Sequence, residues 1–271
     1  MKDDVYLYNH ARWEALAQAN ALFTRPRLDL DRESARDYLA LDRLGIAGEL
    51  TGKKVLCLAS GGGQQSAAFG LLGAVVTVFD ISASQLERDR AAAEHYGYEA
   101  SLVQGDMRDL SCFDNDSFDI VWHPYSLTFV PDARDVFREV SRIVKTGGIY
   151  HLMCANPFFA GLTHQAWNGE GYLLNLPYED GTITSYPDQE WVYDQSRAKI
   201  QEPVEYRQTL SRIMNGLIRE GFILTYIDEI KGNDPEALPG SWGHFTDVAP
   251  PWLEYTWLYL PNVLKNAGTA G

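Results

Sequence analysis

The chain has 271 residues, 45% of them hydrophobic and 22% charged, with a formal net charge of −14. This is a globular balance for one large domain or one domain with a cap, and its negative field opposes nucleic-acid binding, which needs cationic surface to displace phosphate counterions. The start, Met1 to Tyr6, carries no apolar signal core and no apolar run approaches about 18 residues, so no membrane partner and a cytoplasmic location are expected.

In chain order, Tyr8 to Leu22 reads as a helix with Trp13, Leu16 and Ala17 at apolar positions. Residues 24–31 break the pattern, and a second helix is expected from about Arg32 to Leu44, ending near Gly45. Residues 1–50 thus read as an N-terminal helical lid over the remainder of the chain. From Lys53 strands and helices alternate: strand 55–59, helix 64–72, strand 75–79, helix 83–96 stopped by Gly97, strand 100–104, strand 118–122, helix 132–145, strand 149–154. Alternation at this spacing, with near-continuous apolar strands, predicts an α/β fold with a parallel sheet covered on both faces. After Pro157 the regularity stops. Residues 158–205 are rich in aromatics and read as an inserted cap with short strands and turns. A helix over 209–220 follows, with Leu210, Ile213, Met214 and Leu217 on one face, then strands at 222–230 and about 254–260.

The chemistry starts at Gly61-Gly62-Gly63, between a strand and a helix. Glycine lets a ligand approach the backbone, and the helix start offers free N–H groups. Asp80 ends the next apolar strand, about twenty residues on, where a carboxylate can accept both hydroxyls of a ribose. Such a turn serves either a nicotinamide dinucleotide or S-adenosylmethionine. The dinucleotide fingerprint would place glycine or alanine at Ser66. The third strand ends in Gly105-Asp106-Met107, where the carboxylate can meet an adenine amino group and the methionine its ring. Cys57, Cys112 and Cys154 form no C-x-x-C, and no His, Asp or Glu has neighbours at ligand spacing, so neither a disulfide frame nor a metal site is expected.

Residues 53–157 resemble the class I S-adenosylmethionine-dependent methyltransferases. The glycine turn, Asp80, Gly105-Asp106-Met107, Phe118-Asp-Ile-Val121 and Glu139 to Gly148 stand in that family's order, and Leu58-Ala-Ser-Gly-Gly-Gly-Gln-Gln65 resembles a bacterial branch of it. The resemblance implies a Rossmann-like sheet of order 3-2-1-4-5-7-6, with the last strand antiparallel and the cap after strand five, the catalytic domain occupying 51–271. It implies S-adenosylmethionine as cofactor and S-adenosylhomocysteine as product. Ala59, Ser60, Gly61, Gly63 and Gln64 would then lie on the methionine side. Asp80 would take the ribose, Ile81 and Gln85 would sit beside it, Asp106 and Met107 would hold the adenine, and His123 would lie near the sulfonium. The family's acid and first glycine are here Cys57 and Ala59, so another group must hold the amino-acid end of the cofactor.

Methyl transfer from a sulfonium is an in-line displacement, for which orientation does much of the work. Where the acceptor must lose a proton a base is needed, and His123, at a strand's C-terminal end, is the candidate. A small-molecule acceptor is expected, with Tyr125, His164, Trp167, Tyr172, Trp191 and His244 as candidate substrate contacts; the same aromatics also read as a local core that stabilises the cap. Two other readings stay open: an NAD-dependent oxidoreductase, and a S-adenosylmethionine-binding sensor or partner subunit without catalysis.

Overall fold

A computed structural model of the chain describes residues 3–185 and 200–263. Its centre is a seven-stranded sheet built from β1 (Lys54–Leu58), β2 (Val75–Asp80), β3 (Ala100–Gln104), β4 (Phe118–His123), β5 (Val144–Ala155), β8 (Phe222–Ile230) and β9 (Trp252–Tyr259). β6 (Ile183–Ser185) and β7 (Val204–Tyr206) pair only with each other, in the cap. The sheet order is therefore β3-β2-β1-β4-β5-β9-β8 rather than the expected 3-2-1-4-5-7-6. The two numberings differ because the cap contributes two strands that never join the main sheet. β1 to β5 are parallel, and β9 runs antiparallel between β5 and β8.

Burial on both faces explains the apolar strand runs. Along β1, Leu56 and Leu58 enter one core with Phe137, Tyr150 and Trp257. Val55 and Cys57 enter the other with Phe69, Val78 and Trp122. Leu39, Leu41, Leu44 and Ile46 belong to that second core, so the later part of the N-terminal segment packs into the domain.

The helices are α1 (Asp4–Gln18), α2 (Arg32–Tyr38), α3 (Gln65–Leu71), α4 (Ala83–Tyr96), α5 (Ala133–Ile143), α6 (Leu210–Arg219) and α7 (Trp242–Val248). α1 begins four residues before the expected Tyr8, because the Asp3 carboxylate caps it by accepting from the Tyr6 N–H. α2 stops at Tyr38 instead of Leu44; Ala40, with φ of 50°, takes the chain out of the helix. α4 keeps its expected bounds, capped by Ser82 and ended by Gly97 at φ 71°. α7 has no counterpart among the expected elements. Among the described residues no helix is long and apolar enough to cross a membrane.

Candidate functional site

The C-terminal ends of β1, β2 and β4 open into a cavity of about 590 Å³, the usual size of a small-molecule site. α1 roofs it with Asn9, Arg12 and Trp13, and the segment after β5 walls it with Phe159 and Leu162. Hydrogen bonds to several elements hold α1 down. Glu14 accepts from the Ser82 hydroxyl at 2.8 Å and from the Ser84 N–H at 3.1 Å, at the start of α4. Arg108 donates to both oxygens of Asp3, and the Asn9 amide donates to the Phe129 carbonyl at 2.9 Å.

The glycine turn is shaped from two sides. On the cavity side the Gly61 N–H donates to Asp80 Oδ2 at 2.8 Å, while Asp80 Oδ1 accepts from the Ser82 N–H at 2.9 Å. A Cβ on Gly61 would lie 2.9 Å from the Asp80 carboxyl carbon and 2.7 Å from Gln85 Cβ, so only glycine fits. Behind the turn, Asp89 of α4 accepts from the N–H groups of Gly62 (2.8 Å) and Gly63 (3.0 Å) and from the Ser66 hydroxyl. Ser66, where a dinucleotide fingerprint has its last glycine, is thus a donor to a buried acid. Burial disfavours both charges: Asp80 is pushed up to about 6 and Asp89 to about 7. Ala59, where the resemblance implies a glycine, takes the left-handed conformation at φ 47°.

Of the expected cofactor residues, Ala59, Ser60, Gly61, Gln64, Asp80, Ile81, Gln85, Asp106 and Met107 line the cavity; Gly63 and His123 do not. Gly63 faces away, against Arg88 and Pro26. The Gln64 amide is committed to the carbonyls of Phe23 and Arg25, fastening residues 23–25 over the turn. The Asp106 carboxylate is gripped by the Arg108 guanidinium at 2.6 Å. Gln85 Oε1 is buried and has no hydrogen-bond partner among the described residues.

His123 is placed differently from the expectation. It is fully buried, with Nδ1 2.8 Å from the Tyr150 hydroxyl and Nε2 2.7 Å from Ser126 Oγ. Burial pushes it down to about 3, so it stays neutral. It supports Ser126, which does line the cavity, and in this geometry it reaches no acceptor as a base.

The substrate candidates divide in the same way. Tyr125 lines the cavity. Trp167, Tyr172 and His244 form a cluster with ring centroids 5.0–5.8 Å apart, and the Tyr172 hydroxyl is 3.1 Å from His244 Nδ1. This cluster lies behind Phe245, against which Tyr172 packs, and Phe245 faces the cavity. His164 meets the edge of Trp242 and does not line the cavity. Trp191 lies outside the described residues.

Two buried acids escape a reading of the sequence. Asp89 shares the inward helical face of Gln85 and Ala92, a spacing that could have marked it. Glu205, on β7, lines the cavity and is 2% exposed. Its carboxylate accepts from the Tyr125 hydroxyl at 3.1 and 3.2 Å and from the Thr128 hydroxyl at 3.2 Å. Nothing in a three-residue strand separates such an acid from a solvated one.

Residues 56–152 match the family described as methyltransferase domain. The chain is 36% identical to the methyltransferase YbaJ of Bacillus subtilis over 192 residues, 68% of this chain and 71% of that protein. It is 34% identical over 128 residues to a ubiquinone biosynthesis O-methyltransferase of Vibrio atlanticus, covering 47% of this chain and about half, 54%, of that relative. In fold it is similar to a S-adenosylmethionine-dependent methyltransferase structure from Mesorhizobium loti, at a TM-score of 0.60 and 22% identity, over 86% of this chain and all of that one.

Proposed function

The chain belongs to the methyltransferase family, and we propose that it transfers a methyl group from S-adenosylmethionine to a small-molecule acceptor in the cavity at the ends of β1, β2 and β4. The observation that carries this reading is the convergence of Asp80, the Gly61 turn and Gln85 on one cavity. These groups fit a ribose and an amino acid: acceptors for hydroxyl and ammonium protons beside backbone that a ligand can approach closely. Bound there, S-adenosylmethionine supplies an electrophilic methyl carbon on a sulfonium that is already an activated leaving group.

The protein's own residues bind, orient and exclude water. Asp80 keeps its carboxylate fixed through two backbone N–H donors while further lone pairs face the cavity. Ile81 and Met107 offer apolar flanks for the adenine, and Asp106 reaches its amino group with the lone pairs that Arg108 leaves. Ala59 and Ser60 border the amino-acid end. The α1 roof, fastened through Glu14 and Asp3, shields the reacting atoms. Apolar walls from Met153, Phe159, Leu162 and Trp252 suit an uncharged acceptor, in keeping with the relative named for ubiquinone biosynthesis.

Calorimetric titration with S-adenosylmethionine, S-adenosylhomocysteine and NAD tests the reading. The first two should bind and lose affinity in Asp80→Asn; binding of NAD alone would overturn it. Label transfer from methyl-labelled S-adenosylmethionine to a panel of small acceptors then tests turnover, and binding with no transfer would favour a sensor.

A further inference from the structure

The end of β4 brings a chain of polar groups to the cavity wall. Tyr150 and His123 are fully buried, and Ser126 is 5% exposed and lines the cavity. The Tyr150 hydroxyl is 2.8 Å from His123 Nδ1, His123 Nε2 is 2.7 Å from Ser126 Oγ, and the Ser126 hydroxyl is 3.1 Å from the Pro124 carbonyl.

Proton count fixes the direction of these bonds. Among the described residues the Tyr150 hydroxyl has His123 Nδ1 as its hydrogen-bond partner. If Nδ1 carried the ring proton, Tyr150 would accept it and its own buried proton would be left without an acceptor, which costs more than a hydrogen bond gains. Tyr150 therefore donates to Nδ1, and the ring proton sits on Nε2. Burial pushes His123 down to about 3, so the ring is neutral and has one N–H. Nε2–H donates to Ser126 Oγ, and the Ser126 proton goes to the Pro124 carbonyl. A hydroxyl has two lone pairs and Nε2–H takes one, so Ser126 turns a lone pair to the cavity. The same count denies Ser126 a base, because Nε2 already holds its proton.

We propose that Ser126 is a specificity-determining contact that accepts a hydrogen bond, and that the methyl acceptor is an apolar molecule presenting a hydroxyl or amino donor to it. His123 and Tyr150 are positioning residues that set this polarity. The proposal rests on the methyl-transfer reading of the same cavity. A carbonyl, ether or carboxylate placed there would meet lone pair with lone pair. A buried site built for one polarity discriminates strongly against the other, because a polar group is left unpaired. Phe129, Val130, Met153 and Leu162 line the same cavity, and their side chains offer a misplaced polar group no hydrogen bond.

The test has two readouts. In protein carrying nitrogen-15 histidine, the His123 signals, identified by their absence in His123→Ala, should report one neutral ring with its proton on Nε2. In Tyr150→Phe the Nδ1 signal should move downfield, as an imine nitrogen does on losing a donor. A proton on Nδ1, or an Nδ1 signal that stays in place, overturns the positioning roles. The second readout is binding to S-adenosylhomocysteine-loaded protein of three probes of one shape. Two of them, 4-ethylphenol and 4-ethylaniline, present a donor, and 4-ethylpyridine N-oxide presents only an acceptor. Ser126→Ala should lower the affinity of the first two about 2- to 12-fold, the size of one neutral hydrogen bond, and leave the N-oxide and S-adenosylhomocysteine unchanged. An equal loss for all three probes, no loss for any, or no binding of any to wild type overturns the assignment. If Ser126→Ala does not fold, by melting and S-adenosylhomocysteine titration, Ser126→Cys, whose thiol accepts only weakly, takes its place with the same expected outcome. Absence of both S-adenosylmethionine and S-adenosylhomocysteine binding in wild type would instead defeat the methyl-transfer reading.

Discussion

Asp89→Ala should destabilise the protein by an amount that depends on pH. The carboxylate holds the N–H groups of Gly62 and Gly63 and the Ser66 hydroxyl. Its loss leaves three buried donors unsatisfied, each costing about 1–3 kcal/mol; taking the low end, because the Ser66 hydroxyl can turn, gives about 3 kcal/mol. Against that stands the cost of burying a charge, which raises Asp89 from 3.8 to about 7. The folded state therefore keeps its proton to higher pH than the unfolded chain does. Wild type gains stability as pH falls through about 7 towards 4 and loses it as pH rises. Between about pH 8 and pH 5 the linkage integral for these two values is about 2.5 kcal/mol. The alanine variant lacks this gain, while Asp80 remains in both proteins. The stability difference should thus be about 3 kcal/mol at pH 5, or about 6–12 °C in Tm, and shrink to about 0.5 kcal/mol at pH 8. Urea titrations of both proteins at the two pH values measure it. A difference that is constant with pH, or that grows as pH rises, refutes the reasoning.

Asp80→Asn should weaken S-adenosylmethionine binding about 100-fold, the value of two charge-assisted hydrogen bonds at the low end, in a calorimetric titration. Because Asp80 is pushed up to about 6, wild-type affinity should also fall as pH drops below 6, and an affinity flat from pH 8 to 5 would contradict this. Gly61→Ala should cost about 5- to 150-fold in the same titration, because the added methyl meets Gln85 and Asp80 at under 3 Å and overpacking costs about 1–3 kcal/mol. His123→Ala should lower Tm through the lost contacts with Tyr150 and Ser126, and leave the shape of the kcat–pH profile between pH 6 and 9 unchanged, since His123 is neutral throughout. A profile that loses a limb would restore His123 as a base.

The order and type of the sheet elements follow from the chain's own periodicity. Strands whose successive residues are apolar are buried on both faces, and Ser82 with Gly97 bounds α4 by local backbone chemistry. The glycine turn and Asp80 were legible for the same reason, since they belong to one βαβ unit of contiguous sequence. His123 shows the limit. The pattern places it at the end of β4, but whether it faces acceptor or core depends on Tyr150, 27 residues on, which takes its Nδ1. The cap aromatics show it again: Trp167 and Tyr172 meet His244 from a helix more than 70 residues on (Tyr172 to His244), and turn into a core behind the wall.

Sequence by itself thus determined the unit that repeats locally: strands, caps, a glycine turn and the carboxylate twenty residues beyond it. Only the tertiary structure decided which distant groups share the cavity, namely the α1 roof, Asp89 behind the turn and Glu205 facing Tyr125. The physical reason is that periodicity records whether a residue is buried, whereas a site depends on which buried groups meet, and here they meet across 26 residues of chain or more.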